Sequence, residues 1–404
     1  MAYARRWLAR PEGDCTFTAQ SLWGWFAALP RDRVAALLDA LAETWEHGAP
    51  AGRGLRRAQR IALALQAGLA HGVGRRELRQ QLRRTRNPVF LLVSHRALDR
   101  SGPIQALRRA GARFVPLIRD LIPLTHPEYT CAPQVGRHAA RVATTATLAD
   151  GIIVNSAATE ATLRTHLLPH GRSIPPITVA PLGIRTLRAP AAPLPTEPYF
   201  VCLGTVEPRK NHQLLLHIWR DLAMEGRGSP RLLLCGRRGW ENEQVLDLLE
   251  RCEALRGLVL ELGTLPDARV TELLSGARAL LFPSFAEGYG LPLAEALALG
   301  VPVICSDLPA LREVGGDVPD YLDPLDGPGW RRAILDYALP DSAARDAQLA
   351  RLRRWQIPGW DAHFAAVDAL LTQVTGEKVP GRRPAPQPAR GPRLLPAPVG
   401  ATPA

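Results

Sequence analysis

The feature that most constrains this chain is a change of hydrophobic period that happens twice. From about residue 88, short apolar runs alternate with helical segments; the alternation stops in a proline-rich stretch and then restarts. In the first block the runs are 89–93 (VFLLV), 114–118 (FVPLI), 152–154 and 177–180, with helical patterns over 104–109, 137–148 and 158–167 between them. In the second block they are 199–204 (YFVCLG), 231–236 (RLLLCG), 258–262, 278–282 (RALLF) and 301–305 (VPVIC). Short apolar strands separated by helices read as a mostly parallel sheet covered on both faces. The fold class is therefore α/β, with two Rossmann-like doubly wound domains facing a cleft. Residues 1–190 form the N-terminal domain and 191–354 the C-terminal one, joined through a linker at 184–197 (IRTLRAPAAPLPTE). Before residue 88 the patterns at 1–10, 33–45, 60–69 and 75–86 are helical. Residues 355–375 read as a further helix, and 376–404, rich in Pro, Arg and Ala without periodicity, as a disordered tail.

Composition excludes several classes. At 46% hydrophobic and 22% charged residues the chain can bury a core and is not disordered. Its 6 cysteines (Cys15, Cys131, Cys202, Cys235, Cys252, Cys305) are scattered with no C-x-x-C pair, which excludes a zinc ribbon or a disulfide scaffold. No apolar run approaches the ~18 residues of a membrane span, and the first residues have no apolar signal region. The expected location is the cytoplasm, with peripheral contact at the inner membrane face. The net charge of +12 comes almost wholly from arginine, since Lys210 and Lys378 are the only lysines. Such a balance suits an anionic partner. The segment 75–86 (RRELRQQLRRTR) carries six Arg and one Glu and fits an anionic membrane. Nucleic acid is not expected, because no aromatics interleave these arginines.

In open α/β sheets, ligands sit beyond the carboxyl ends of the strands, so the loops that follow strands carry the chemistry. The loop Gly204–His212 (GTVEPRKNH) follows the first strand of the second block, with Asn211 placed to cap the next helix. Arg209 and Lys210 at this junction suit a diphosphate, though position alone reads equally as a solvated basic pair. The loop after RALLF is PSFAEGYGLPLAEALALG. Gly288 and Gly290 flank Tyr289 and let backbone approach a ligand, with a helix opening at Leu291 or Pro292. Glu287 and Glu295 place a carboxylate on either side of the turn, where each can accept from sugar or ribose hydroxyls. Taken singly, each reads as a loop acid or a helix-dipole carboxylate.

The run PSFAEGYGLPLAEALALGVPVICSD resembles the donor-site signature of glycosyltransferase family 4, whose members are retaining enzymes of GT-B fold. GTVEPRKN resembles the same family's diphosphate motif, and ALREVGGD (310–317) the segment that follows the signature. DLIPLTHPEY (120–129) and ADGIIVNSAAT (149–159) are similar to a bacterial mannosyltransferase-like subgroup. The resemblance implies that Gly204, Arg209, Lys210, Gly288, Tyr289 and Gly290 hold the donor's sugar and diphosphate. It also implies that Glu287 contacts the transferred sugar and Glu295 the ribose. No metal and no cofactor are implied. The donor would be a nucleotide-sugar, GDP-mannose first and a UDP-sugar second, and the acceptor a glycan or lipid-linked oligosaccharide in polysaccharide biosynthesis. The chain departs from the pattern in three places. Thr205 stands where many relatives carry Arg. Arg119-Asp120 stands where many carry His-Asp, leaving Asp120 as the catalytic candidate beside Glu287, with His126 second. The first strand and glycine loop of the N-terminal domain are missing, which leaves an exposed sheet edge and the alternative of a non-catalytic sugar-nucleotide-binding protein. In the family, the C-terminal helix packs back on the N-terminal domain.

Overall fold

In the computed structural model, residues 1–47, 53–171, 173–185, 197–226 and 228–376 are described. Most of the 184–197 linker and the tail after Gly376 lie outside them. The first sheet is parallel and four-stranded, with β3 (Val89–Leu92), β4 (Arg113–Ile118), β5 (Ile152–Val154) and β6 (Ile177–Val179) in spatial order. Alternate side chains feed two cores, because successive residues of a strand point to opposite faces. Phe90, Phe114, Ile152 and Val154 pack with Ile104, Leu107, Val142 and Leu163 on one face. Val115, Leu117 and Ile153 pack on the other against Tyr3, Phe364, Val367 and Leu370. Those last residues belong to α1 (Ala2–Leu8) and to the helix Trp360–Thr375, which returns to the first sheet. There His363 Nδ1 lies 2.9 Å from the Ala180 carbonyl, the Tyr3 hydroxyl lies 2.8 Å from its Nε2, and Arg6 pairs with Asp368.

Two elements carried too little signal to be read from sequence. An antiparallel hairpin, β1 (Thr18–Gln20) and β2 (Phe26–Ala28), stands among the N-terminal helices; with three residues per strand it shows no usable period. It is followed by α2 (Arg31–His47), α3 (Arg53–Ala70) and α4 (Arg75–Arg84). β3 is an edge strand, and α1, residues 13–18 and α4 wall a cavity of about 460 Å³ along it.

The second sheet is parallel and six-stranded. It comprises β7 (Tyr199–Leu203), β8 (Arg231–Cys235), β9 (Val259–Gly263), β10 (Leu280–Phe282), β11 (Val303–Ser306) and the short, unforeseen β12 (Asp320–Leu322). The order β12-β11-β10-β7-β8-β9 reverses direction between β7 and β10. At such a switch point the two following loops diverge and leave a crevice between them. The loops after β7 and β10 are the two that hold the sequence motifs.

Three buried histidines and the half-buried His95 make the fold acid-sensitive. Burial lowers His95 and His212 to about 4, and also lowers His138 and His363. Each ring takes a proton less readily in the folded chain than an unfolded histidine, near 6.5, does. The unfolded state therefore binds more protons below about pH 6.5, and stability falls with falling pH through that window. The Glu295 carboxyl, raised to about 7, opposes this with one group against four. We expect the melting temperature to drop from pH 7 to pH 5. His212→Leu should flatten that dependence by up to about 1.4 kcal/mol per pH unit. Melting curves across this range check it, and an unchanged slope in the variant contradicts it.

Candidate functional site

The site begins with the pairing of β7 and β10. The chain leaves β7 through Gly204, whose backbone N–H donates to Cys235 at 2.9 Å, and the Lys210 stem passes beside it. Pro208–Lys210 forms one 3₁₀ turn. Asn211 then adopts a left-handed conformation (φ 54°), and its side-chain amide donates to the Pro324 carbonyl at 2.9 Å while its oxygen accepts no cap bond from the helix it precedes. The expected N-cap is therefore not made: the αL backbone turns its amide toward the Asp323–Asp326 loop instead.

This turn delivers two cations onto one carboxylate. Lys210 Nζ donates to Glu287 Oε1 at 2.6 Å and lies 4.4 Å from the Phe282 ring centroid. Arg209 Nη1 stands 2.8 Å from the same Glu287 oxygen and donates to the Ala286 carbonyl at 2.7 Å. Its Nη2 donates to Glu207 Oε1 at 2.6 Å. The Lys210 and Glu287 side chains are each only 9% exposed. Burial alone would raise the Glu287 carboxyl, but Lys210 and Arg209 outweigh it and hold it below its ordinary value. Burial works against the Arg209 charge, and Glu287 with Glu207 overcomes that too. Arg209 and Glu287 thus each hold the other in its charged form in a nearly dry setting.

Immediately after Glu287 the two domains meet. A Cβ on Gly288 would lie 2.5 Å from the Arg119 carbonyl oxygen and 2.8 Å from the Asp120 Cβ, so only glycine fits. The Gly288 carbonyl accepts from Ser156 Oγ at 2.7 Å and Thr159 Oγ1 at 3.2 Å. Tyr289 turns its ring into the second core and donates its hydroxyl to Leu182 at 2.8 Å. Gly290 adopts φ 100°, a conformation costly for other residues, and opens the helix Leu291–Ala298 with Pro292 in its first turn.

The first domain faces this loop with the carboxyl ends of its own strands. Asp120 follows β4; its Oδ1 accepts from the Ile122 N–H at 3.2 Å, and its carbonyl lies 3.1 Å from His138 Nε2. Arg119 turns away and donates to the Val93 carbonyl at 3.2 Å. His126 stacks on Tyr129 at 5.9 Å, and Tyr129 on Phe285 of the other domain at 5.2 Å. That aromatic bridge across the domain seam was missed in the sequence, as was His95, which packs edge-on to His138 at 6.0 Å and whose Nε2 is buried without a partner. Neither has local motif spacing; the signal was only that each sits in a loop after a strand.

Gly204, Arg209, Lys210, Glu287, Gly288 and Asp120 thus come together, while Glu295 stands apart. Glu295 lines a pocket of about 230 Å³ with Asp267, Thr271, Leu274, Leu291 and Trp360. Glu295 is exposed at the rim of this pocket, which Arg185 also lines, and desolvation there followed by the Asp267 charge raises its carboxyl to about 7.

Residues 184–318 match the family model described as Glycosyl transferases group 1. This stretch is similar to glycosyltransferase group 1 domains. The matched stretch contains every second-domain residue of the site. Curated relatives include O-antigen chain mannosyltransferase B of Escherichia coli, 40% identical over 172 residues, which are 41% of this chain and 45% of that protein. Serotype-specific mannosyltransferase WbdA of Escherichia coli is 28% identical over 288 residues, 67% of this chain and 34% of that protein. O-antigen chain mannosyltransferase RfbU of Salmonella typhimurium is 33% identical over 156 residues, 37% of this chain and 41% of that protein. The chain spans less than half the length of these relatives. Among solved structures, sucrose-phosphate synthase from Thermosynechococcus elongatus has a TM-score of 0.55 at 22% identity, covering 72% of this chain and 74% of that one. The GtfA/B complex gives 0.52 at 17% identity, covering 75% and 60%. At these identities the likeness is one of fold, and that fold is GT-B.

The Gly288 contact yields a prediction independent of any ligand. Gly288→Ala must push the Arg119–Asp120 backbone away, and overpacking of this kind costs about 1–3 kcal/mol. A lowered melting temperature is expected, with the domain seam more accessible to hydrogen exchange around residues 119–120 and 286–290. Wild-type stability and exchange would contradict the contact.

Proposed function

We propose that the chain is a retaining hexosyltransferase that uses a nucleotide-sugar donor, GDP-mannose first, and a glycan or lipid-linked oligosaccharide acceptor in polysaccharide assembly. The observation that carries this is the buried Lys210–Glu287–Arg209 cluster at the strand-order reversal, facing Asp120 across the seam. Two fixed cations where a β-strand feeds a helix suit a diphosphate leaving group, and preorganised charge costs no rearrangement as the bond breaks. They would do this without a metal. A donor diphosphate takes over the cations' positive charge, and Glu287, freed in part, accepts from hydroxyls of the sugar as oxocarbenium character develops. As the bond from the sugar to the diphosphate breaks, the acceptor hydroxyl attacks on the same face and passes its proton to the departing diphosphate oxygen, so the anomeric configuration is retained. Asp120 lies on the acceptor side of that centre. Glu295 holds the ribose hydroxyls from its own pocket. The relatives' names support mannose, and the basic segment 75–86 supports peripheral contact with an anionic membrane, at about 1 kcal/mol per Arg near the surface.

Turnover of labelled GDP-mannose against UDP-sugars, with lipid-linked oligosaccharides as acceptors, tests the reading. Transfer with retained configuration that survives EDTA is expected. Binding of donor without transfer to any acceptor would favour a sugar-nucleotide-binding protein instead.

Two residues separate binding from chemistry. Lys210→Ala removes a charge-assisted bond and should weaken nucleoside diphosphate binding by about 1.5–3 kcal/mol, roughly 10- to 150-fold in Kd. Unchanged affinity by calorimetry removes Lys210 from the site. Glu295 accepts more strongly from ribose hydroxyls when it is ionised. Its raised value makes donor affinity climb from pH 6 to pH 8, where the donor's diphosphate does not titrate. Glu295→Gln should abolish that climb and raise KM with little change in kcat. A variant that keeps the wild-type pH profile would place the ribose elsewhere.

A further inference from the structure

The β1–β2 hairpin ends in a turn whose composition the fold does not require. Gly24 N–H donates to the Ser21 carbonyl at 3.0 Å and Ser21 N–H to the Trp25 carbonyl at 2.8 Å, which closes the loop around Leu22 and Trp23. Gln20 Nε2 clamps the Gly24 carbonyl at 3.1 Å. Leu22 and Trp23 therefore occupy the two corner positions, where polar residues are the ordinary choice. They are 81% and 71% exposed, among the most exposed large apolar side chains of the described residues. Trp23 is not loose: it stacks on Trp25 at 6.5 Å, and Arg75 lies 4.4 Å over the Trp25 ring.

The surroundings are cationic. The Ala28 N–H donates to the Gly74 carbonyl, which seats the first turn of α4 against β2. Along α4, Leu78 and Leu82 face the core while Arg76, Arg79, Arg83 and Arg84 are exposed. On the other flank, a Cβ at Gly24 would lie 3.9 Å from Arg100 Nη1 and 3.9 Å from Pro103. Arg100 ends the loop that leaves the carboxyl end of β3, and His95 in that loop packs on the ring that touches Asp120. The tip thus stands beside the acceptor side of the cleft.

We infer that Leu22 and Trp23 form a wedge that enters the interfacial layer of an anionic lipid surface, flanked by Arg75, Arg76, Arg79, Arg83 and Arg100. Tryptophan is at home at headgroup depth, where its ring is half apolar and half wet, and leucine beside it adds area removed from water. The arginines supply the second signal that reversible anchoring needs. Charge alone gives binding that salt abolishes; a wedge leaves a remainder at high salt. Seated this way, the protein holds the first domain's strand ends against the membrane. The inference deepens the peripheral membrane contact proposed above and rests on that reading; loss of the wedge alone would leave the charge-driven contact in place.

The test is partition of the full chain onto phosphatidylcholine vesicles with and without phosphatidylglycerol, at low and high salt. Wild type should bind the anionic vesicles and keep part of that binding at high salt. Leu22→Ser with Trp23→Ser should lower partition by about tenfold or more, the scale of withdrawing two apolar side chains from a nonpolar contact. Melting temperature and nucleoside diphosphate affinity should stay at wild type, because both side chains are solvent-exposed. Brominated lipid should quench a fluorescence component that Trp23→Phe removes. Wild-type partition in the double variant overturns the inference. So does no vesicle binding by wild type, or no quenching at Trp23. Unchanged partition with lost affinity for a soluble mannose oligosaccharide would make the tip a glycan platform instead. Failure of sugar transfer leaves each of these readouts intact.

Discussion

The arrangement depends on one buried carboxylate. Glu287 accepts from Lys210 and stands 2.8 Å from Arg209 with almost no water near it. Replacing a buried ion cluster with well-packed apolar residues is often neutral or favourable for stability, whereas removing one partner is strongly unfavourable. Stability alone therefore gives no reason to keep the cluster. A function that needs desolvated positive charge does: the cost of drying Arg209 and Lys210 is met in the resting protein rather than when an anion arrives. Under the proposed function, Glu287 is the placeholder for that anion and offers the nearest carboxylate oxygens to accept from whatever the anion carries.

The cluster exists only because of the sheet order. β7 and β10 are separated by about 75 residues in sequence, yet they pair directly because the order reverses between them. The two loops then leave from neighbouring strand ends, and a single lysine can span the gap. Gly288 extends the same logic across the domains. Its missing side chain lets the Arg119–Asp120 backbone come within contact, so the first domain's strand ends are registered to the second domain's reactive loop. Ser156 and Thr159 fix that register through one carbonyl.

How much of this was legible follows from range. Strand and helix runs are local patterns, and nine sheet strands stand in the sequence as apolar runs displaced by a residue or two. The Asp320–Leu322 strand and the small hairpin are too short to impose a period, and both take their conformation from neighbours. Arg209, Lys210 and Glu287 were legible as residue types in loops, but their convergence on one oxygen was not. Sequence shows neither which strands pair nor which loop ends face. Asn211 shows the opposite limit: its type suits a cap, and its αL backbone, also favoured by asparagine, won. Tyr129 and Phe285 were invisible for the same reason as the cluster, since each gains its partner only across the seam.

The two acids flanking the glycine turn illustrate how environment assigns different work to identical chemistry. Glu287 is the more deeply buried, yet it is held ionised, because two cations are built around it. Glu295 sits at the rim of a pocket lined by both polar and apolar groups, and desolvation there together with the Asp267 charge raises it to about 7. A carboxylate locked in its charged form by protein cations can hand those cations to a ligand and change its own partner without a proton moving. A carboxyl poised near neutrality gains its charge only when something nearby rewards it with hydrogen bonds. The first behaviour suits a group beside a departing diphosphate. The second suits a group that grips neutral hydroxyls in a separate pocket, and the helix Leu291–Ala298, starting at a left-handed glycine, is what sets the two apart.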